Sequence, residues 1–491
     1  MATRTFSFSH VLTKTVRLRK GPSLQRLTRN GVTSGGDTCP PEPRDSWSNE
    51  GGPEQRERRH NSFSLAPVSP PRELQAALDN VLARHTHKTL VQDGAALANY
   101  LISRKTTSSI DRKKLEPRAP GTHSTALHHH SAHTSRCREG SIGHRTAECP
   151  PHSEILIRYG NKEAVCYAAS RLQATYGVTF RVLAEIAHMV PSFKPETLLD
   201  FGSGLGTAVW AAHQLWGESI YEYLCVDTSQ EMGEMARLLR LGGQTATGNT
   251  VLENESIPGV FFRQYLPVSG KVKYDMVVAA YTLGEIPTIR WRKISLASLW
   301  RKTRDFLVLV EPGTWSGYYN ILEARDFLLN SPTWADPEYL QDTSDGDGTT
   351  LQGGHIFAPC PHSQKCPLAD GSRVPCHFAQ RVHLSFTQRN SVLRHSGFHI
   401  EKFSYLILRK GEKAKVTDNP SRLLEPVKKR TRHAIYKLCC PDGQAREVIL
   451  SKSKTPDAYR AAREKRWGDL LEWSGCSSRC HSDASDSNPR T

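Results

Sequence analysis

Cys360, Cys366 and Cys376 fall inside the Pro- and Gly-rich stretch from Gly354 to Gln380. Thiolates hold zinc or iron only when several converge on one point, and a turn-rich backbone can bring three sulfurs together over a short span. A fourth ligand must then arrive from elsewhere, and Cys439 or Cys440 in the run Leu-Cys-Cys-Pro-Asp-Gly can supply it. Four thiolates suit zinc and an iron–sulfur cluster equally, so the spacing implies a four-thiolate metal and leaves its identity open.

A second set of residues suits a nucleoside. Thr197 to Phe201 reads as a strand, Gly202, Gly204 and Gly206 form the loop after it, and Ala208, Val209, Ala212 and Leu215 follow at helical spacing. Glycines let a backbone approach a ligand closely, and a helix amino terminus offers unpaired N–H groups. A second strand ends at Asp227, about twenty residues beyond the loop, where a carboxylate can accept both ribose hydroxyls. The pattern is G-x-G-x-G with Asp200 just ahead of it, not the dinucleotide spacing G-x-G-x-x-G. It resembles the first motif of class I S-adenosylmethionine methyltransferases.

Methyl transfer also needs an aligned nucleophile and sometimes a base. After the next strand the chain reads Ala-Ala-Tyr-Thr-Leu-Gly-Glu-Ile from Ala279 to Ile286, without the Pro-Pro-aromatic tetrad of adenine-N6 enzymes and without a cysteine nucleophile. Tyr281 would project beyond the strand ends, and Glu285 is the single candidate base there. No catalytic residue is assigned, and the chain reads as leaning away from enzyme activity.

The elements that must position these groups alternate. Helix 232–241, strands 260–266 and 274–280, helix 289–301, strand 306–310 and helix 318–329 imply an α/β, Rossmann-like parallel sheet with helices on both faces. Helical spacing also marks 72–104 and a lead-in over 151–196, ahead of a methyltransferase-like domain at 197–410 with the cysteine insertion at 354–380. From 404 to 468 the chain holds 17 Lys or Arg against 7 Asp or Glu. This basic stretch includes a hairpin around Pro441-Asp442-Gly443 and a helix near Tyr459–Trp467. Residues 411–470 are therefore expected to form a basic β unit whose exposed aromatics stack on RNA bases.

The full chain of 491 residues carries a formal charge of +16, which calls for a polyanionic partner, nucleic acid first and an anionic membrane second. No run of apolar residues is long enough to span a bilayer. Met1 to Gly36 contains no acidic residue and mixes Arg and Lys with Phe, Val and Leu, the composition of a mitochondrial transit peptide. Residues 37–70, the His-rich stretch within 105–150 and the tail 471–491 read as disorder, with Cys476 and Cys480 in that tail idle.

Taken together, the run from Val182 to Ala212, the Glu-Pro-Gly at 311–313, the cysteine loop, and the Leu-Cys-Cys-Pro-Asp-Gly segment with Ser-Lys-Ser-Lys and Tyr459–Asp469 resemble the family of mitochondrial ribosomal small-subunit assembly proteins. The resemblance spans about Ile155 to Leu470. It implies a matrix protein, monomeric on the small subunit, that binds small-subunit rRNA. It also implies an S-adenosylmethionine site at Asp200, Gly202, Gly204, Gly206 and Asp227, a four-iron four-sulfur cluster on Cys360, Cys366, Cys376 and Cys439 with Cys440 as rival, and lost transferase activity. The alternatives are an active rRNA methyltransferase and a metal-dependent radical enzyme. The radical reading is weakened by the absence of a tight C-x3-C-x2-C cradle.

Overall fold

Strand β4 (Tyr274–Ala280) is buried along nearly its whole length, the signature of a parallel strand covered on both faces. The computed structural model describes residues 65–103, 157–244, 255–330 apart from 268 and 270, 353–383 apart from 371, 397–413 and 420–471. The transit-peptide segment, the His-rich stretch and Cys476 and Cys480 lie outside them.

In chain order the elements are α1 (Arg72–Leu82), α2 (His87–Ser103), α3 (Asn161–Ser170), α4 (Leu172–Met189), β1 (Thr197–Phe201), α5 (Thr207–Trp216), β2 (Glu222–Val226), α6 (Gln230–Arg240), β3 (Val260–Arg263) and β4. They continue with α7 (Ile289–Lys302), β5 (Thr303–Pro312), α8 (Trp315–Asn330), β6 (Gly354–Ala358), β7 (Phe378–His383) and β8 (Phe398–Lys410). One sheet orders these strands β3-β2-β1-β4-β5-β8-β6, and β7 also pairs with β8. Strands β1 to β5 run parallel, and β8 returns antiparallel against β5. This is the α/β, class I methyltransferase-like arrangement, and its strand order reverses between β1 and β4.

Alternation along each strand sends successive side chains to opposite faces. Leu198, Met276 and Val308 therefore join α1, α3, α4, α5 and α6 in one core, while Leu199, Val277 and Leu307 join α7 and α8 in the other. The amino-terminal helices thus close the sheet's own core instead of merely preceding it. Residues 65–70, at the end of the stretch whose composition reads as disorder, belong to the described structure. Val68 exchanges backbone hydrogen bonds of 3.0 Å with Arg381 and His383, which pins this stretch beside β7.

Strands β6 and β7 lie end to end along one side of β8, β6 opposite Ile407–Lys410 and β7 opposite Phe398–Phe403. The cysteine-rich loop is the excursion between them. A second sheet holds β9 (Ser421–Leu423), β10 (Lys428–Lys429), β11 (His433–Cys439), β12 (Ala445–Ser451) and β13 (Leu470–Leu471), and α9 (Pro456–Glu464) covers one face. The hairpin joins β11 to β12 through the expected turn, with Gly443 at φ +80°. One expectation fails here: Tyr436 and Tyr459 are 1% and 4% exposed and fill the small core, and Trp467 packs edge-on against His377 at 4.9 Å. Tyr436 and Tyr459 seal the unit and offer no stacking surface, and Trp467 is half-buried.

Candidate thiol centre and nucleoside crevice

Cys360, Cys366, Cys376 and Cys439 line a single small pocket, together with Pro359, Pro367, Leu368, Phe378, Arg422 and Leu424. Three sulfurs come from the β6–β7 excursion and the fourth from the last residue of β11, so the cavity sits where the two sheets meet. The alternation of β11 settles which of the paired cysteines faces it. Cys439 turns to the cavity, whereas Cys440 is fully buried in the apolar core of the small sheet and is disulfide-bonded.

The four thiols lie near enough to shift one another's ionisation. A hydrogen bond from Cys439 to Cys360, with Arg325 and Arg422 nearby, holds the Cys360 thiol below its ordinary value against burial, and the same bond raises Cys439. Burial first, and the neighbouring thiols after it, push Cys376 well up. Among the described residues no three His, Cys, Asp or Glu groups are drawn together as a closed metal site; four cysteines lining one cavity beside buried guanidinium groups nonetheless have the chemistry of a four-thiolate donor set.

The junction around this cavity is polar and closed. Arg422, 2% exposed, forms an ion pair with Glu185 of α4 at 2.7 Å and donates to the carbonyls of Pro359 and Gly468 at 2.9 and 2.8 Å. Glu185 also takes Arg181 at 3.1 Å and the Tyr405 hydroxyl at 2.8 Å. Gly443, at φ +80°, brings the turn of the small sheet against the Gln364 side chain of the cysteine loop. Sequence reasoning missed Glu185 and Arg422. A charged pair separated by more than 230 residues leaves no local pattern to read.

At the sheet's reversal point the glycine loop follows β1 and a short turn, Leu283–Glu285, follows β4. Gly202, Gly204 and Gly206 have φ of +70°, +50° and +74°, which explains glycine at all three positions. Close approach is needed only at Gly202, and the neighbour is the protein itself. A Cβ there would fall 2.3 Å from the Thr282 hydroxyl. Asp227 stands at the end of β2, its Oδ2 accepting from the Gly204 N–H at 2.7 Å and its Oδ1 from Ser229 N–H at 2.9 Å. Each oxygen keeps lone pairs, so the carboxylate can still accept two hydroxyls. Asp200, 2% exposed with an unpartnered Oδ2, is lifted to about 8 by burial and then by Asp227. Asp200 and Asp227 thus bring two carboxyl groups beside the glycine loop, a donor set suited to ribose hydroxyls.

The groups that would do chemistry are otherwise engaged. Glu285 accepts from the Tyr159 hydroxyl at 2.7 Å. Glu311 of the Glu-Pro-Gly segment accepts from Leu283 N–H at 2.9 Å and from Asn320 at 3.1 Å, fixing the turn after β4. Tyr281 takes a left-handed φ of +61° and its hydroxyl is buried.

The profile of a family described as mitochondrial small ribosomal subunit Rsm22 matches residues 161–472. The human ribosome assembly protein METTL17, mitochondrial, is 35% identical over 418 residues, covering 84% of this chain and 85% of that protein. The budding-yeast ribosome assembly protein RSM22, mitochondrial, is 21% identical over 420 residues, covering 63% of this chain and 67% of that protein. A fission-yeast Rsm22-cox11 tandem protein is 32% identical over 241 residues, 43% of this chain and 30% of that protein. Among solved structures, a Synechocystis magnesium protoporphyrin IX methyltransferase with bound S-adenosylmethionine aligns at TM-score 0.28 and 13% identity, over 51% of this chain and 84% of its own. An Aquifex aeolicus methyltransferase aligns at TM-score 0.27 and 13% identity, over 52% of this chain and all of its own. The fold assignment rests on strand order and not on these alignments.

Proposed function

We propose that this chain, which belongs to the mitochondrial small ribosomal subunit Rsm22 family, is an assembly factor of the mitochondrial small ribosomal subunit that acts by binding its rRNA in the matrix. The single observation that carries the reading is the convergence of Cys360, Cys366, Cys376 and Cys439 on one cavity between the two sheets. A metal bound there would tie the basic unit to the methyltransferase-like sheet. Metal–ligand bonds made only in the folded state contribute directly to folding stability. The group is a four-iron four-sulfur cluster by family resemblance, with zinc as the other outcome of metal analysis.

The cations of the basic unit supply the RNA affinity. Lys428, Lys429, Arg430, Arg432, Lys452 and Lys454 are exposed. Backbone bonds from Arg430 to His433 and from Lys452 to Arg432 gather them at one end of the small sheet. Phosphate attraction of this kind is salt-dependent and independent of sequence.

S-adenosylmethionine is held through Asp227, Asp200 and the loop Gly202–Gly206, where it supplies a methyl donor when bound. The chain's own residues serve positioning and not transfer, because Glu311 fixes the turn after β4 and Glu285 is bonded to Tyr159. The protein acts as a monomer on the subunit.

The test is anaerobic purification with iron, acid-labile sulfide and zinc analysis, beside sedimentation with small subunits and RNA crosslinking. Cys366→Ser is expected to lose metal and subunit association together. Association retained with the metal gone would refute the tie, and a methyl mark on small-subunit RNA that vanishes in Asp227→Ala would establish the active-enzyme reading.

A further inference from the structure

Three side chains approach the sulfurs from outside the cavity. The Tyr318 hydroxyl of α8 lies 3.5 Å from Cys366 Sγ, and His362 Nε2 lies 3.3 Å from Cys439 Sγ. The Arg325 guanidinium, two turns further along α8, donates to the Gln364 carbonyl and lies near enough to Cys360 to favour its thiolate form. All three are sequestered from solvent: Tyr318, Arg325 and His362 are 3%, 3% and 5% exposed. None of them lines the cavity itself, so they stand behind the ligands and not among them. Cys376 differs. Among the described residues no side chain donates to its sulfur; the nearby Ser404 hydroxyl goes to the Cys376 carbonyl at 2.7 Å instead.

We infer that Tyr318, Arg325 and His362 are positioning residues that fix three of the four thiolates, and that Cys376 is the corner from which the bound metal is released. This inference rests on the metal reading above. Outer-shell partners hold ligands in orientation, and their loss commonly costs about 10- to 100-fold in metal affinity. A thiolate held by a donor re-forms its metal bond from a fixed position, whereas an unsupported one can rotate away. The placement also explains why two of the donors come from one helix. Tyr318 and Arg325 are seven residues apart in sequence, two turns of α8, and so face the same loop.

The experiment is pulse labelling of the metal-loaded full-length protein with N-ethylmaleimide while a strong chelator removes the metal anaerobically, with mass spectrometry reading each cysteine. Cys376 is expected to label first, ahead of Cys360, Cys366 and Cys439 by several-fold in rate. Tyr318→Phe keeps the ring and removes only the hydroxyl; it is expected to bring Cys366 up to the rate of Cys376 and to speed metal loss about 10-fold or more. Equal labelling of all four, or Cys439 or Cys360 first, overturns the inference, as does a Tyr318→Phe protein with an unchanged order. Protein that contains neither iron nor zinc before the chelator is added refutes the metal reading itself, so the two failures are distinct.

Discussion

Arg422 of β9 meets Glu185 of α4 at 2.7 Å, with side chains 2% and 0% exposed. The contact joins the small sheet to the helical layer of the large one, next to the cavity that Cys360 and Cys439 share. Burial alone would raise the Glu185 carboxyl, but Arg422 and Arg181 overcome it and hold it below the usual carboxylate range. A buried ion pair is weak evidence of net stabilisation, since desolvation offsets much of the attraction. What it does secure is alignment, because neither charge can be left alone in that place.

Arg422→Met tests this. The substitution keeps much of the side-chain volume and leaves Glu185 with Arg181 and the Tyr405 hydroxyl. Removing one partner of a buried pair costs about 3–5 kcal/mol. The expected result is a lower melting temperature together with faster proteolytic separation of residues beyond 420; a protein as stable and as protease-resistant as the parent would show that the pair is dispensable.

The two adjacent cysteines give a sharper comparison. Cys439→Ser should abolish metal binding, while Cys440→Ala, which alters the small core and not the cavity, should retain it with some loss of stability. Metal content by mass spectrometry on both variants decides the matter. Equal loss from both would mean that the pairing of cavity and core sides is wrong.

Much of this arrangement could be read from the chain because it is written in local periods. Gly202, Gly204, Gly206 and Asp227 lie within a short span, and alternating strands and helices dictate where such residues gather. The cysteine loop was legible for the same reason. The choice between Cys439 and Cys440 was not, since a one-residue step in β11 reverses the face and only the pairing with β12 fixes which face is inside. The Arg422–Glu185 pair and the docking of Val68 on β7 were invisible, because they depend on tertiary proximity between distant segments. The misjudged aromatics, Tyr436 and Tyr459, show the opposite error: a small sheet with few apolar residues spends its tyrosines on its own core.

Asp200 predicts an inverted pH response. Burial and Asp227 raise it from an ordinary 3.8 to about 8, so the folded protein keeps a proton that the unfolded chain gives up near pH 4. Folding is penalised progressively as pH rises from about 4 to about 8, by on the order of a few kcal/mol at the upper end. Asp200→Asn cannot ionise and should melt higher than the parent, with an advantage that widens between pH 5 and pH 8 and is constant above. An advantage independent of pH would place the Asp200 proton elsewhere.

Arg171 and Glu401 predict the ordinary sign. They form a two-pronged pair at 2.7 and 3.3 Å, with His399 at 2.8 Å from the same carboxylate. Burial opposes ionisation, but Arg171 and His399 prevail and draw Glu401 down to about 2 from an ordinary 4.5. A depressed carboxyl stabilises the fold fully above the unfolded value and loses that contribution as pH falls toward the folded one. The window is therefore pH 4.5 to about 2, and the shift corresponds to on the order of 3 kcal/mol. Glu401→Gln should melt well below the parent at pH 7, because Arg171 is left buried without its counter-charge, and should show a shallower loss of stability across that acid window. Thermal melts of both proteins from pH 7 to pH 3 read both effects. Parallel curves would mean that Glu401 is not the group whose protonation loosens the joint between the helical layer and β8.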